Sequence, residues 1–232
     1  MTTKGLRIAL DGPVGAGKSS VARRVAARLG LTYVDTGALY RCIALLALRK
    51  GLSPQDDAEA IVRLAQHALP DFDQPDESGI QRVFLSDEDV TEAIRTPEVT
   101  ELASPISAIQ GVRDALMALQ REFARRGQVI MEGRDIQTVI MPDADLKIFL
   151  VASVEERARR RWLQYRDQGI DVALEELIEQ VRARDTRDAG RANAPLAKAD
   201  DAIEVDSDNL TEDEVVDRIV ELARHRRSQA DG

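Results

Sequence analysis

The 232-residue sequence predicts an α/β fold, a parallel sheet with helices on both faces. Short apolar runs of strand length alternate with longer segments whose apolar residues recur every three or four positions. The runs are too short for helices and too apolar for a sheet with one wet face. A glycine-rich turn joins the first run to the first helical segment. Open sheets of this type bind ligands at the carboxyl ends of their strands, so the residues after each run are the informative ones.

Residues 6–10 form the first run, and residues 19–29 the first helix, with Val21, Val25 and Leu29 on one stripe and Gly30 as a stop. Residues 32–34 suit a second strand. Residues 38–50 read as a buried helix closed by Gly51, and residues 56–69 as another helix. Prolines, acids and a hairpin-like stretch then mark residues 70–90 as a small β-containing insertion, with a strand at 81–85 and a turn at 86–89. A long helix is expected after Pro105, carrying Ile109, Val112, Leu116, Leu119 and Phe123 and ended by Gly127. Strands at 128–131 and 146–151, helices at 154–167 and 172–184, a strand at 202–205 and a helix near 211–227 complete the chain. The polar residues 228–232 are expected to fray.

Composition narrows the function. Acidic residues outnumber lysine and arginine by 41 to 32, a formal charge of −9 that disfavours a broad nucleic-acid surface. No apolar run approaches the roughly 20 residues of a membrane span, and Met1–Gly5 has no signal-peptide core. One cysteine, Cys42, excludes an internal disulfide and a cysteine-cluster zinc site, and His67 and His225 offer little scope for a histidine site. The expectation is a soluble cytoplasmic protein with neither a nucleic-acid polymer nor a membrane as partner.

Gly12-Pro13-Val14-Gly15-Ala16-Gly17-Lys18-Ser19 fits the spacing of a phosphate-binding loop, with a strand before it and a helix after it. Glycines let successive N–H groups face a phosphate, and the helix beginning beside Ser19 and Ser20 adds its positive end. Lys18 reaches the outer phosphates, and the Ser19 hydroxyl can ligate Mg²⁺. Residues 12–20 are thus the expected nucleoside triphosphate site. No Asn-Lys-x-Asp element for guanine is present.

Arginines follow the later strands. Asp35 or Thr36 could cap the next helix, while Arg41 sits on an otherwise apolar one, either on a solvated face or toward a cleft. Arg113 lies at the edge of its apolar stripe, where snorkelling and ligand binding are both open. Glu132, Arg134 and Asp135 project from a strand end, with Glu132 placed to support Mg²⁺ through water. Arg157, Arg159, Arg160 and Arg161 crowd one helix, and Arg184, Asp188 and Arg191 inherit an apolar face if the helix persists past residue 184. A triphosphate on the loop and a second phosphate among arginines describe phosphoryl transfer.

Eight segments in order resemble bacterial-type cytidylate kinase: the loop itself, Asp35-Thr36-Gly37 with Tyr40-Arg41, Ile94-Arg95-Thr96, Gly133-Arg134-Asp135, Pro142-Asp143-Ala144, Lys147-Ile148-Phe149-Leu150, Ser153 with Glu155-Glu156-Arg157-Ala158, and Arg184-Asp185 with Arg187-Asp188. The resemblance implies transfer of the ATP γ-phosphate to CMP or dCMP with Mg²⁺, on a nucleoside-monophosphate-kinase fold with a five-stranded parallel core. It implies a core of residues 1–34 and 105–227, a CMP-binding domain of residues 35–104, and a lid over residues 154–170. Thr36, Arg41, Arg134, Arg184 and Arg191 then resemble contacts to the monophosphate. Ser104, Arg113 and Asp135 resemble the set that reads cytosine, and Asp188 the residue that holds the sugar. Lys18, Arg134, Arg157, Arg161 and Arg184 are the expected catalytic residues, the two from the lid closing over the transferring group. Glu132 stands where many relatives have aspartate, and Gln137 where glycine is frequent. A kinase for UMP or another small acceptor, or a nucleotide-dependent switch without turnover, are the competing readings. A monomer is expected, because a hinging enzyme needs its domains free.

Overall fold

The computed structural model describes residues 5–68, 70–73, 81–167, 169–191 and 194–230. Residues 74–80 of the expected insertion, residue 168 of the expected lid and the last two residues of the expected tail lie outside them.

Two compact units divide the chain, one of residues 1–33 and 127–232 and the other of residues 34–126. The first carries most of a five-stranded sheet built from β1 (Arg7–Asp11), β2 (Thr32–Asp35), β6 (Val129–Gly133), β7 (Leu146–Val151) and β8 (Ile203–Asp206), in the order β2-β6-β1-β7-β8. β1 runs parallel to both β6 and β7, and β7 to β8. Every residue of β1 and β6 is buried. Successive strand side chains point to opposite faces, so burial throughout requires cover on both sides. On one side α1 (Lys18–Leu29) and α8 (Glu212–Ala230) bring Val21, Val25, Val216 and Ile219 against Ile8, Leu10, Ile148 and Leu150. Burying each such side chain stabilises the fold by about 1.5–3 kcal/mol.

Two further helices of this unit, α6 (Val154–Asp167) and α7 (Leu174–Ala189), share a small core of Ala158, Leu177 and Val181. α7 does persist past residue 184, which places Arg184 and Asp188 one turn apart, with Arg191 just beyond the Gly190 cap. α8 continues to Ala230, so residues 228–230 are helical where fraying was expected.

The second unit holds α2 (Thr36–Arg49), α3 (Ala58–His67), α4 (Pro97–Ile106) and α5 (Gln110–Arg125), with an antiparallel sheet of β3 (Pro70–Phe72), β4 (Val83–Leu85) and β5 (Glu88–Asp89). Leu39, Ile43, Ile61, Ile94, Ile106 and Leu116 are fully buried among them. Cys42 is buried in the same core, which pushes its thiol up to about 12. α4 is an element that the apolar pattern does not announce. Thr96 caps it by accepting from Val99 N, Pro97 occupies its first turn, and Pro105 lies in its last turn. The chain therefore breaks at residues 107–109, and the helix expected directly after Pro105 starts at Gln110.

Candidate active site

β1 delivers the chain to the glycine-rich loop and α1 leaves it at Lys18. A Cβ at Gly12 would stand 2.0 Å from the Leu150 carbonyl oxygen, so the loop can pass the end of β7 only with glycine there. Gly15 adopts φ +79, a left-handed conformation, and its missing Cβ leaves room for Arg157. Lys18 is 6% exposed and its Nζ donates to the Pro13 carbonyl at 2.7 Å. Burial, followed by the positive charge of Arg134, lowers Lys18 from 10.5 to about 7; Arg184 acts in the same direction, while Glu132 and Asp11 oppose it. The loop, Arg134 and Arg184 thus gather positive charge around one buried ammonium. Ser20 Oγ donates to the Gly17 carbonyl, and Ser19 is exposed on the helix start.

Asp11, absent from the expected site, anchors the neighbouring turn. Its fully buried carboxylate accepts from the backbone N–H groups of Ile136 and Gln137 at 3.1 and 2.8 Å. Burial nevertheless raises its carboxyl to about 6 against those two bonds, and the Asp135 charge adds to the rise. The turn that it holds, Ile136–Ile140, is π-helical and follows directly on Arg134 and Asp135. Gln137 uses its side chain here, with Oε1 accepting from Ala199 N at 3.1 Å. Glu132 lies inside β6 rather than beyond its end, buried, with the Tyr33 hydroxyl donating to it.

The arginines of this unit are partitioned among acids. Arg134 Nε donates to Asp188 at 3.0 Å and Arg191 to the other oxygen of Asp188 at 2.5 Å. Burial opposes ionisation of Asp188, but Arg134, Arg191 and Arg184 together hold its carboxyl below the usual range. Asp188 thus accepts from two guanidinium groups at once. Two lid residues also have partners within the protein. Arg157 is 3% exposed and its donors go to Asp185, Ala152 and Val14, so its guanidinium lies under the loop instead of reaching over a phosphate. Arg161 donates to the Tyr165 hydroxyl on its own helix. Arg160 donates to the Ala16 carbonyl and to the Ser207 carbonyl.

In the second unit Asp35 caps α2 through Ala38 N at 3.1 Å and pairs with Arg41 at 2.6 Å. Burial would raise Asp35, yet Arg41 draws its carboxyl below the usual range. Thr36 is buried beside it in sequence. Arg113 is also buried, donating to the Ser107 carbonyl at 3.3 Å with its guanidinium 5.9 Å from the Tyr40 ring centre, and Ser107 in turn donates to the Ser104 carbonyl. Arg113 therefore lies beside the half-buried Tyr40 ring and the Ser107 carbonyl, with the Ser104 carbonyl one bond further on, and periodicity gives no reason to single out Ser107 or Tyr40. Asp135, grouped with them by the family pattern, belongs to the other unit.

Among the described residues no cluster of three or more His, Cys, Asp or Glu could hold a metal. Mg²⁺ takes one or two protein oxygens and completes its shell with substrate phosphates and water. The exposed Ser19 hydroxyl and the Glu132 carboxylate supply hard oxygen donors of that kind. No helix among the described residues is long and apolar enough to cross a membrane.

Comparison with known proteins converges on one family. The family model described as cytidylate kinase matches residues 8–225. A cytidylate kinase from Geobacter sulfurreducens is 48% identical over 229 residues, covering 99% of this chain and 97% of that protein. One from Lactobacillus johnsonii is 46% identical over 231 residues, covering 98% and 99%. Among solved structures, an uncharacterized protein from Eubacterium ventriosum aligns with a TM-score of 0.52 at 11% identity, over 96% of this chain and 99% of that one, a likeness of fold.

Proposed function

The chain belongs to the cytidylate kinase family, and from that premise we propose how its residues divide the transfer of the ATP γ-phosphoryl group to CMP or dCMP. Residues 12–20 hold the triphosphate, with backbone N–H groups and the Lys18 ammonium on its oxygens. The Ser19 hydroxyl would hold Mg²⁺ brought with ATP, with Glu132 acting through water, and the ion would supply further neutralisation of phosphate charge. Thr36, Arg41, Arg134, Arg184 and Arg191 take the acceptor phosphate. Ser104, Arg113 and Asp135 read the base, and Asp188 keeps Arg134 and Arg191 oriented. The acceptor is already an oxyanion, so alignment and charge neutralisation suffice and no strong general base is needed. Arg161 is the lid residue assigned to closure, which excludes water and suppresses hydrolysis of ATP.

The observation that carries this reading is the state of Lys18. Its ammonium is buried against the Pro13 carbonyl inside the glycine-rich loop, with the positive charges of Arg134 and Arg184 acting on it, an arrangement that a polyanion would complete. For the base, a carboxylate accepts from the cytosine amine, whereas the carbonyl of uracil would face it acceptor to acceptor. The test is a coupled ADP-release assay with CMP, dCMP, UMP and AMP side by side, with CDP identified as product. CMP or dCMP should dominate; a preference for UMP, or ATP turnover with no diphosphate formed, would refute the assignment.

A further inference from the structure

Arg157 lies in the first turn of α6, and the way its guanidinium is held fixes more than the helix. Its Nε donates to the Ala152 carbonyl at 2.9 Å and its Nη1 to the Val14 carbonyl at 3.1 Å. Asp185, on α7, takes the outer edge of the same group as a bidentate pair, with contacts of 3.0 and 2.6 Å. All four residues belong to the first unit.

A guanidinium is planar, so a bidentate carboxylate on one edge determines where the remaining N–H groups point. Here Nη1 points at the Val14 carbonyl in the middle of the glycine-rich loop, and Nε at the Ala152 carbonyl just after β7. Val14 is followed by Gly15, whose backbone approaches so closely that a Cβ there would stand 3.0 Å from Arg157 Cβ. The loop at this point has no strand or helix of its own to rest on, and the Ala158–Leu177–Val181 core makes α6 and α7 a stiff support behind it. Asp185 is partly exposed and Arg157 almost wholly buried, so the carboxylate acts from the outer side of the pair.

We propose that Asp185 is a positioning residue for the nucleotide loop, holding Arg157 against the Val14 carbonyl and so setting the backbone conformation in which the loop meets the donor's phosphates. This rests on the assignment of ATP to residues 12–20. The chemical class that it serves is the triphosphate of the donor nucleotide; the acceptor is not involved.

Asp185→Asn keeps the side-chain shape and removes the charge and one of the two acceptors. ATP binding is measured directly by calorimetric titration without acceptor, and KM is measured for each substrate in turn. ATP binding should weaken and its KM rise about tenfold, the loss of roughly one charge-assisted hydrogen bond. KM for CMP should move less than twofold, and Asp185→Glu should recover most of the ATP affinity. Unchanged ATP binding, or both KM values rising together with a lowered Tm, overturns the proposal. If Asp185→Asn does not fold, Arg157→Lys, which keeps the charge and loses the fork, goes through the same titrations under the same criteria. A wild-type protein that binds no ATP sinks the loop assignment and this proposal with it, whereas wild-type binding with an unaltered Asp185→Asn sinks this proposal alone.

Discussion

The Lys18 ammonium donates to the main-chain carbonyl of Pro13, five residues back in the loop that it closes, at 2.7 Å. Burial and the Arg134 charge leave it near 7, far below the 10.5 of a free lysine. At pH 8 the unliganded protein should carry a largely neutral Lys18, and a bound polyphosphate should restore the charged form. ATP binding at pH 8 should therefore take up a proton, which calorimetry in buffers of different ionisation enthalpy detects, and the uptake should fade by pH 6. Stability has the matching sign. Between about 7 and 10.5 the unfolded chain holds a proton that the folded one lacks, so unfolding free energy rises with pH across that window. Lys18→Met should flatten this rise and abolish transfer.

Asp188 is 1% exposed and carries two guanidinium partners. Its substitution by alanine strands both charges, at a cost of about 3–5 kcal/mol in unfolding free energy. Because its carboxyl is held below 3.8, its contribution is complete above that value and is lost as pH falls through the lower folded one. Urea titrations at pH 7 and at pH 3 should show wild type losing part of its advantage over Asp188→Asn at the acid end. Equal gaps at both values would mean that the ion pairs do not carry it.

Gly15→Ala should fold and fail to transfer. The left-handed backbone costs roughly 1–2 kcal/mol with a Cβ present, and that Cβ meets Arg157 at 3.0 Å. A shift of the loop by a fraction of an ångström misaligns the donor, and turnover should fall about 100-fold. Retained turnover with intact Tm would show that the loop tolerates the displacement.

Arg113→Met should raise KM for CMP about 10- to 100-fold, the range for a lost buried polar contact, and narrow the preference over UMP. Calorimetric ATP affinity should stay within twofold. If instead ATP binding weakens equally, Arg113 supports the fold and does not read the base.

What was legible in the sequence is what sequence neighbours decide. The loop and its flanking strand and helix are contiguous, so spacing alone locates Gly12 to Ser20, and the sheet follows from short apolar runs. α4 escaped because its signal is a cap, Thr96 followed by Pro97, and not a stripe. Asp11 carries no signal in the sequence because it falls between the first apolar run and the glycine-rich loop, while the N–H groups that it accepts from lie 125 and 126 residues away. Arg157 was visible as one of four crowded arginines. Its task depends on Asp185, 28 positions later on another helix, and no spacing rule links the two. Gln137 likewise acts at a distance in sequence, its side-chain oxygen accepting from the backbone N–H of Ala199.

Cys42 offers a practical opening. It is the sole thiol of the chain, sealed in the second unit's core and protonated up to about 12, so maleimide reagents at neutral pH will pass it by. Any cysteine engineered onto an exposed position becomes a single attachment point for a fluorophore or spin label, and no background substitution in the interior is required first.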